Sequence, residues 1–401
     1  DQHYADITAF YAPTPLRGLQ ALSAETGRPP LLPNWMHRGA LVGMQGGSQK
    51  VERVRQALQT RQTPISGFWL QDWVGTRKTA IGSQLWWNWQ INTTHYPHWQ
   101  TLRTSLQAKG QHVLGYINPF LVDVPHTVTH NYYQEAVTKG YFVKDQNGDI
   151  YPIQNTDFSA GLLDLSNPEV QTWVKTLIKK ELIDHAGFSA WMADYAEALP
   201  LDASLFAGNA RNYHNAYAAT WARLNAEAIQ ESGCTHCSFF MRAGYNQSPE
   251  QIPMAWTGDQ MVTWDAQDGF QSSIQGLINS GLSGIPLVHS DAGGYTSIGL
   301  PVTGGITRSE ELLFRWLETN AFTALLRTHE GNQPERNAQI YDNAKTLSFF
   351  DRCARIYAAL FNYRSTLVRE AHEKGWPVVR ALVLHYPADL TAQTLMDQFL
   401  L

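Results

Sequence analysis

The sequence predicts an α/β fold, a (β/α)8 TIM barrel with insertions, in which eight parallel strands each lead toward a helix. Two observations predict it. Short, wholly apolar runs alternate with amphipathic segments of helical length, and each run ends on a polar residue. Runs apolar on both faces belong to parallel sheets covered by helices, and eight such units close into a barrel of about 250 residues or more. An open doubly wound sheet is the rival topology. Against it, no Gly-x-Gly-x-x-Gly turn follows an early strand, and there is no phosphate loop.

The elements follow in order. Residues 1–34, punctuated by Pro13, Pro15, Pro29, Pro30 and Pro33, form an entry segment with one helix at 15–26. The first strand, 40–44, ends at Gln45-Gly46-Gly47, and Ser48 caps a helix at 49–61. The second, 68–70, ends at Gln71-Asp72, and an aromatic insertion through Trp86-Trp87-Asn88-Trp89 precedes a helix at 99–109. The third, 113–117, ends at Asn118; a helix at 130–139 and a hairpin turning at Asp145-Gln146-Asn147-Gly148-Asp149 come after it. Asn167-Pro168-Glu169 opens a helix running to about 185. Strands at 190–193, 238–241, 254–257, 286–288 and 324–326 end at Asp194, Arg242, Gly258-Asp259, His289-Ser290-Asp291 and Arg327-Thr328-His329. The remaining helices fall at 210–232, 269–280, 309–318 and 342–373. A catalytic barrel is thus expected over 35–375, with 378–386 a strand that opens a C-terminal β-domain over 376–401.

With 43% hydrophobic and 16% charged residues among 401, the chain has the composition of a folded protein with a large core. A formal net charge of −5 provides no electrostatic footprint for nucleic acid or an anionic membrane. No apolar stretch approaches the ~20 residues of a membrane span, and Asp1-Gln2-His3-Tyr4 lacks a basic-then-apolar leader, so the expected location is the cytoplasm. A chain that starts without Met and stops at Phe399-Leu400-Leu401 is expected to be a segment of a longer protein. Three cysteines make no disulfide framework, and Cys234-Thr235-His236-Cys237 is half of a four-ligand zinc site; reduced, inert thiols are the expectation. No metal or cofactor is expected. Self-association is common among barrel enzymes, though no residue here argues for it. The 14 Trp and 17 Tyr suit a carbohydrate pocket, where aromatic faces pack on sugar rings. A core rich in amphipathic rings explains the same count, and composition alone favours the core.

In barrels of this kind the active site forms at the C-terminal ends of the strands. Those ends supply Gln45, Gln71 with Asp72, Asn118, Asp194, Arg242, Asp259, His289 with Asp291, and Arg327 with His329. One polar strand end is as well a cap as a catalyst, but eight together suit a polar substrate. There is no Gly-x-Ser-x-Gly elbow, no His-Glu-x-x-His pair and no cysteine at a strand end, which leaves carboxylates to do chemistry. Two carboxyl groups flanking a glycosidic bond suffice for its hydrolysis. Asp194 and Asp259 are the chosen pair, with Arg242 ending the strand between theirs; Asp72 and Asp291 are the alternatives. Asp194 stops a rigid strand, as an attacking carboxylate requires. Asp259 follows Gly258 in a loop between Trp256 and Trp264, where partial desolvation raises a carboxyl pKa into general-acid range.

Five motifs, Trp191-Met192-Ala193-Asp194-Tyr195-Ala196-Glu197, Phe240-Met241-Arg242-Ala243-Gly244, Trp256-Thr257-Gly258-Asp259-Gln260, His289-Ser290-Asp291-Ala292-Gly293-Gly294-Tyr295 and Arg327-Thr328-His329-Glu330-Gly331-Asn332, resemble glycoside hydrolase family 31. Within it they are most similar to the bacterial sulfoquinovosidases, and the resemblance extends over 35–387. It implies a retaining α-glycosidase on a (β/α)8 barrel, with an N-terminal β-sandwich and C-terminal β-domains lying outside this segment. By motif, Asp194 matches the nucleophile and Asp259 the general acid/base, while Arg242 and His329 match residues that hold the sugar. Trp191, Trp256 and Asp291 stand in the same motifs and are counted among the substrate-binding candidates with Asp72. In the sulfoquinovosidases an Arg, a Trp three residues later and the Tyr of the Gly-Gly-Tyr motif, acting through a water, hold the sulfonate. Gln84, Trp87 and Tyr295 occupy those places here, and Gln45 and Gln71 match two glutamines of that pocket. Gln84 replaces a charge-assisted fork with neutral hydrogen bonds, unless Arg77 or Lys78 substitutes through a shift of the insertion. The resemblance implies cleavage of α-sulfoquinovosides, such as the head group of plant sulfolipid or its glycerol derivative. The alternatives are a retaining α-glucosidase or α-galactosidase on a neutral sugar, and a carbohydrate-binding scaffold, which the intact carboxylate pair opposes.

Overall fold

Eight staves follow one another in chain order: β1 (Ala40–Met44), β2 (Ile65–Leu70), β3 (His112–Ile117), β4 (Ala190–Ala193), β5 (Ser238–Met241), β6 (Met254–Trp256), β7 (two segments, Val288–His289 and Asp291–Ala292) and β8 (Arg327–Thr328). They are taken from a computed structural model that describes residues 7–79, 82–124, 129–155, 157–299 and 304–401, so Asp1-Gln2-His3-Tyr4, on which the absence of a leader was read, lies outside it. Each stave pairs in parallel with the next. The ring closes where Arg327 of β8 pairs with Leu41 of β1. This is the expected (β/α)8 order. Each residue of β1, β4 and β5 is buried, as continuous apolar runs between a barrel interior and a helical jacket must be. Truncating one of them, Phe240→Ala, should cost about 3–5 kcal/mol.

β7 is divided at Ser290, whose hydroxyl donates to Asn320 Oδ1 at 2.9 Å and whose carbonyl accepts from Asn320 Nδ2 at 2.8 Å. The side chain of Asn320 thus takes over the bonds of a missing ladder rung. Helix starts obey the capping residues: Thr14 before Pro15–Thr26, Asn167 before Pro168–Leu177 and Asn209 before Ala210–Ser232 each accept a first-turn N–H. Among the described residues no helix is long and apolar enough to cross a membrane.

Several expectations are corrected. Ser48 does not cap the first barrel helix; Gly46, at φ 107°, precedes a helix Gly47–Thr60, and the Ser48 hydroxyl donates to Pro97 O at 3.1 Å. The Gly46 N–H is instead bound by the Asp72 carboxylate at 2.7 Å. The eighth strand pairs at Arg327–Thr328 rather than 324–326. The long helix at 342–373 is two, Ala344–Ala359 and Phe361–Lys374, separated at Leu360. No breaker marks that break: Tyr357 is tied to Ala324 O and Arg364 to His37 O, so the two halves answer to different tertiary partners. The strand expected at 378–386 shrinks to Arg380–Ala381, paired antiparallel with Phe399–Leu400, and then turns into a 3-10 helix, Leu382–Leu384. Cys234 and Cys237 form a disulfide instead of reduced thiols, because the turn brings their Cα atoms to 5.4 Å. The compartment argument built on reduced thiols goes with them.

Two insertions rise from the strand ends. One is an antiparallel hairpin, Thr76–Thr79 with Gly82–Leu85, in which Arg77 lies directly opposite Gln84. The other is a three-stranded sheet of Phe120–Leu121, Phe158–Leu162 and Ile153–Asn155.

Candidate active site

A cavity of about 300 Å³ opens at the C-terminal ends of the staves, and Gln45, Gln71, Gln84, Trp87, Asp194, Asp259, Tyr295 and His329 all line it. Tyr116, Met192 and Tyr195 complete the barrel side, while Ser83, Gln84 and Asn155 bring both insertions into the wall.

Alternation along a strand decides which residues reach it. In β4, Met192 faces the cavity and Asp194 follows two positions on, whereas Trp191 points the other way, buried, its indole N–H donating to Asn225 Oδ1 at 2.8 Å. Asp194 is held at both oxygens. Oδ2 accepts from the Tyr116 hydroxyl at 2.6 Å, Oδ1 accepts from the Tyr195 N–H at 2.8 Å, and Arg242 Nε lies 3.4 Å from Oδ1. Immediately beyond, Tyr195 and Ala196 both adopt positive φ, 60° and 83°. Non-glycine residues in that region cost on the order of 1–3 kcal/mol each, and such strain persists where surrounding packing imposes it. Here the packing is the Tyr195 ring, set against Trp87 and Phe120 at 5.7 and 5.1 Å.

Arg242, at the end of β5, gathers three carboxylates: besides Asp194 it binds Asp259 Oδ2 at 2.7 Å and Glu197 Oε1 at 2.7 Å. Asp259 follows Gly258, whose φ of 94° turns the chain back over the cavity. Desolvation in the cavity and then the charge of Asp194 push Asp259 up to about 7, against the opposing pull of Arg242. Its side chain is 40% exposed; that surface faces the cavity, whose walls replace much of the bulk water around the carboxyl group.

His329 stays neutral, because burial and the neighbouring Arg327 and Arg308 oppose a positive ring. Its Nδ1 accepts from the Gly331 N–H at 2.9 Å, so the ring proton sits on Nε2 as a donor. Tyr295 is kept protonated by burial and by Asp259. Gln71 Oε1 is buried with no hydrogen-bond partner among the described residues, an acceptor suited to a ligand hydroxyl.

Five candidates do not line the cavity. Asp72 is buried against the Gly46 N–H, His95 and Tyr96, fastening the loop after β1. Asp291 lies fully buried in an ion pair with Arg327, which also donates to His289 Nε2 at 2.9 Å. Trp191 belongs to the interface with the helix Ala210–Ser232. Trp256 packs edge-on to Phe240, 5.8 Å between centroids, beneath Arg242. Arg242 itself acts at the cavity through the carboxylates it binds. Missed altogether were Tyr116, Tyr195 and Glu197. Tyr116 sits inside an apolar run where an aromatic residue reads as core, and only its same-face spacing from Asn118, whose Nδ2 donates to the phenol oxygen at 3.1 Å, hinted otherwise.

Arg77 does not enter the cavity. Its guanidinium packs on Phe158 and Trp86, 3.1 and 4.4 Å from the ring centroids, on the hairpin strand paired with that of Gln84, and burial lowers its pKa to about 10.

Comparison with known proteins adds to this geometry. The model of the Glycosyl hydrolases family 31 TIM-barrel domain matches residues 29–368. The chain is 39% identical over 386 residues to a sulfoquinovosidase of Agrobacterium fabrum, covering 95% of the chain and 56% of that protein. It is 38% identical over 385 residues to a sulfoquinovosidase of Escherichia coli, covering 96% and 55%. Among solved structures it is similar to a family 31 sulfoquinovosidase from E. rectale in complex with an aza-sugar inhibitor, with a TM-score of 0.91 at 37% identity over 97% of this chain and 57% of that one. The chain spans just over half the length of these relatives.

Proposed function

The chain belongs to glycoside hydrolase family 31, and from that premise we propose that it is the catalytic barrel of a retaining α-glycosidase acting on α-sulfoquinovosides. The observation that carries this reading is two carboxyl groups in one cavity, both bound to Arg242: Asp194, held by hydrogen bonds at both oxygens, and Asp259, pushed up to about 7. In the first step the Asp259 carboxyl proton passes to the glycosidic oxygen as an Asp194 oxygen bonds to the anomeric carbon and the aglycone leaves. In the second, Asp259 removes a proton from water, which displaces Asp194 and restores the α-configuration. Arg242 balances the charge that shifts between the two carboxylates. The His329 Nε2–H, Gln71 and Gln45 hold ring hydroxyls.

The sulfonate assignment is supported by the two sulfoquinovosidases at 38–39% identity. Gln84, Trp87 and Tyr295 are the groups proposed to face the C6 substituent. Arg77, the cross-strand partner of Gln84, is a positive charge in a desolvated wall, where its field on an anion is screened less than in water. The second reading, a neutral sugar, is favoured by one observation: the residue exposed to the cavity at this place is Gln84, not an arginine.

Rates of the full-length protein on nitrophenyl α-sulfoquinovoside and nitrophenyl α-glucoside separate the two. Preference for the sulfonated substrate is expected; cleavage of the glucoside alone would sink that assignment. An Asp194→Asn variant should lose on the order of 10³-fold or more in kcat, and near-normal turnover would remove Asp194 from the nucleophile's role.

A further inference from the structure

The turn between the helix Ala210–Ser232 and β5 carries a cluster that the hydrolytic chemistry does not use. Cys234, His236 and Cys237 lie within four residues, and their Sγ and imidazole nitrogen atoms all lie within 4.8 Å of one another. The Cys234 Sγ stands 3.6 Å from His236 Nδ1 and 3.7 Å from Nε2. A tetrahedral zinc ion, with bonds of about 2.3 Å to sulfur and about 2.0 Å to nitrogen, places those two ligand atoms about 3.5 Å apart. The separation is already close to that of two ligands of one ion, and since Sγ is nearly equidistant from both nitrogens the ring must turn for one of them to ligate.

A second element meets the cluster. His112, the first residue of β3, lies outside that 4.8 Å group and faces His236 with 6.4 Å between ring centroids, so it reaches an ion only by turning its side chain inward. Its Nδ1 is engaged with Ser189 Oγ at 2.8 Å, the kind of outer hydrogen bond that orients a ligating imidazole toward metal through its other nitrogen. Trp35 braces both sides: its ring stacks on His112 at 4.0 Å, and its indole N–H donates to the His236 carbonyl at 2.8 Å. Two sulfurs and two imidazoles from two elements form a donor set that suits zinc and its tetrahedral substitutes and not magnesium or calcium.

The disulfide between Cys234 and Cys237 excludes an ion as long as it lasts. It closes a loop of only four residues, so its chain-entropy contribution is small, and Cys234 is half-buried while His236 is exposed. We propose that Cys234, His236 and Cys237, with His112 as fourth donor, form a thiol-gated site for a divalent zinc-class cation. A low-molecular-weight dithiol supplies two electrons and two protons. The S–S bond breaks, two thiols form and the dithiol becomes its own disulfide. Cation binding then displaces the two thiol protons. The bound ion ties the start of β5 to the start of β3. Arg242 follows the far end of β5, about 16 Å away at 3.3 Å per residue, so the site acts on the base of the barrel and leaves the cavity in place.

The test uses full-length, tag-free protein, oxidised or reduced and then freed of reductant without air, titrated with Co²⁺ and afterwards with Zn²⁺. The reduced protein should bind about one equivalent of Co²⁺ with a sulfur-to-cobalt charge-transfer band and intense tetrahedral d–d bands, both erased by Zn²⁺. The oxidised protein should show neither. Cys234→Ser should abolish the band, and His236→Ala and His112→Ala should each weaken Co²⁺ binding ~100-fold, since losing even an outer partner costs 10–100-fold. Circular dichroism unchanged in these variants excludes unfolding as the cause. A reduced protein without the thiolate band overturns the site, as does a band that survives Cys234→Ser; unaltered binding by His112→Ala overturns the four-donor set.

Discussion

The hydroxyl of Tyr116 donates to Asp194 Oδ2 at 2.6 Å, and Asn118 Nδ2 donates in turn to the Tyr116 oxygen at 3.1 Å, so the carboxylate is positioned by a relay from the neighbouring stave. The phenol itself is buried, and burial together with the charge of Asp194 keeps it protonated as a donor. Tyr116→Phe removes one charge-assisted hydrogen bond, about 1.5–3 kcal/mol, and kcat should fall by about tenfold to a hundredfold. KM should move little, because the contact is to the carboxylate and not to the sugar. A variant whose loss lies in KM alone would show that Tyr116 binds substrate instead.

In the proposed mechanism Asp259 must carry a proton to act as an acid, and a folded-state value of about 7 would set the alkaline limb of the rate. kcat/KM should therefore decline as pH rises through about 7, and Asp259→Asn should remove that limb while sparing substrates with strongly acidic leaving groups. The sign for stability follows. The folded chain holds this proton well above the ordinary value of 3.8, so the group's contribution favours folding at low pH and is lost progressively as pH rises from about 4 to about 7. Thermal unfolding of wild type and Asp259→Asn across that range checks it: the variant should lack this part of the slope.

Gln84→Arg replaces neutral donors with a charged fork at the cavity wall. Selectivity, the ratio of kcat/KM for the sulfoquinovoside to that for the glucoside, should rise about tenfold, the difference of roughly 1.4 kcal/mol between a neutral and a charge-assisted contact. An unchanged ratio would show that the C6 substituent does not face this hairpin.

Asp72 lies outside the cavity, and its carboxylate satisfies the Gly46 N–H, His95 and Tyr96 at once. Asp72→Ala strands buried donors and should destabilise the fold by about 2–4 kcal/mol. Chemical denaturation reads that loss. Stability within about 0.5 kcal/mol of wild type would contradict the fastening role.

The fold was legible because parallel staves, enclosed on both faces, leave uninterrupted apolar runs; β1, β4 and β5 lie at the residues where those runs stand. What escaped was set by distant partners: the gap at Ser290 by Asn320, the break at Leu360 by Ala324 and His37, and the helix start at Gly47 by Asp72. For the cavity, polarity at a strand end identified a face and not a direction. Asp194 and Gln71 point inward, whereas Asp72 and Asp291, equally polar and equally placed, turn into buried networks. Trp191 and Met192 are neighbours in one motif, yet the pleat sends only the second to the cavity. Tyr116 left only its two-residue spacing from Asn118 as a trace, since a phenol in an apolar run reads as core until its hydroxyl finds a carboxylate.

The division of β7 at Ser290 splits its ladder in two: Val288–His289 pairs with β6 and Asp291–Ala292 pairs with β8. Two residues on each side of the gap carry its ladder, and the side chain of Asn320 spans the space between. No backbone pair joins the two halves of that ladder at Ser290 itself, so a side chain and not a rung holds the stave together there. Tyr295 and His329 stand on the loops beyond the two sides of that gap, their rings 4.8 Å apart. Both rings line the cavity, so the fit of that part of its wall depends on how firmly Asn320 holds the two halves of one stave together.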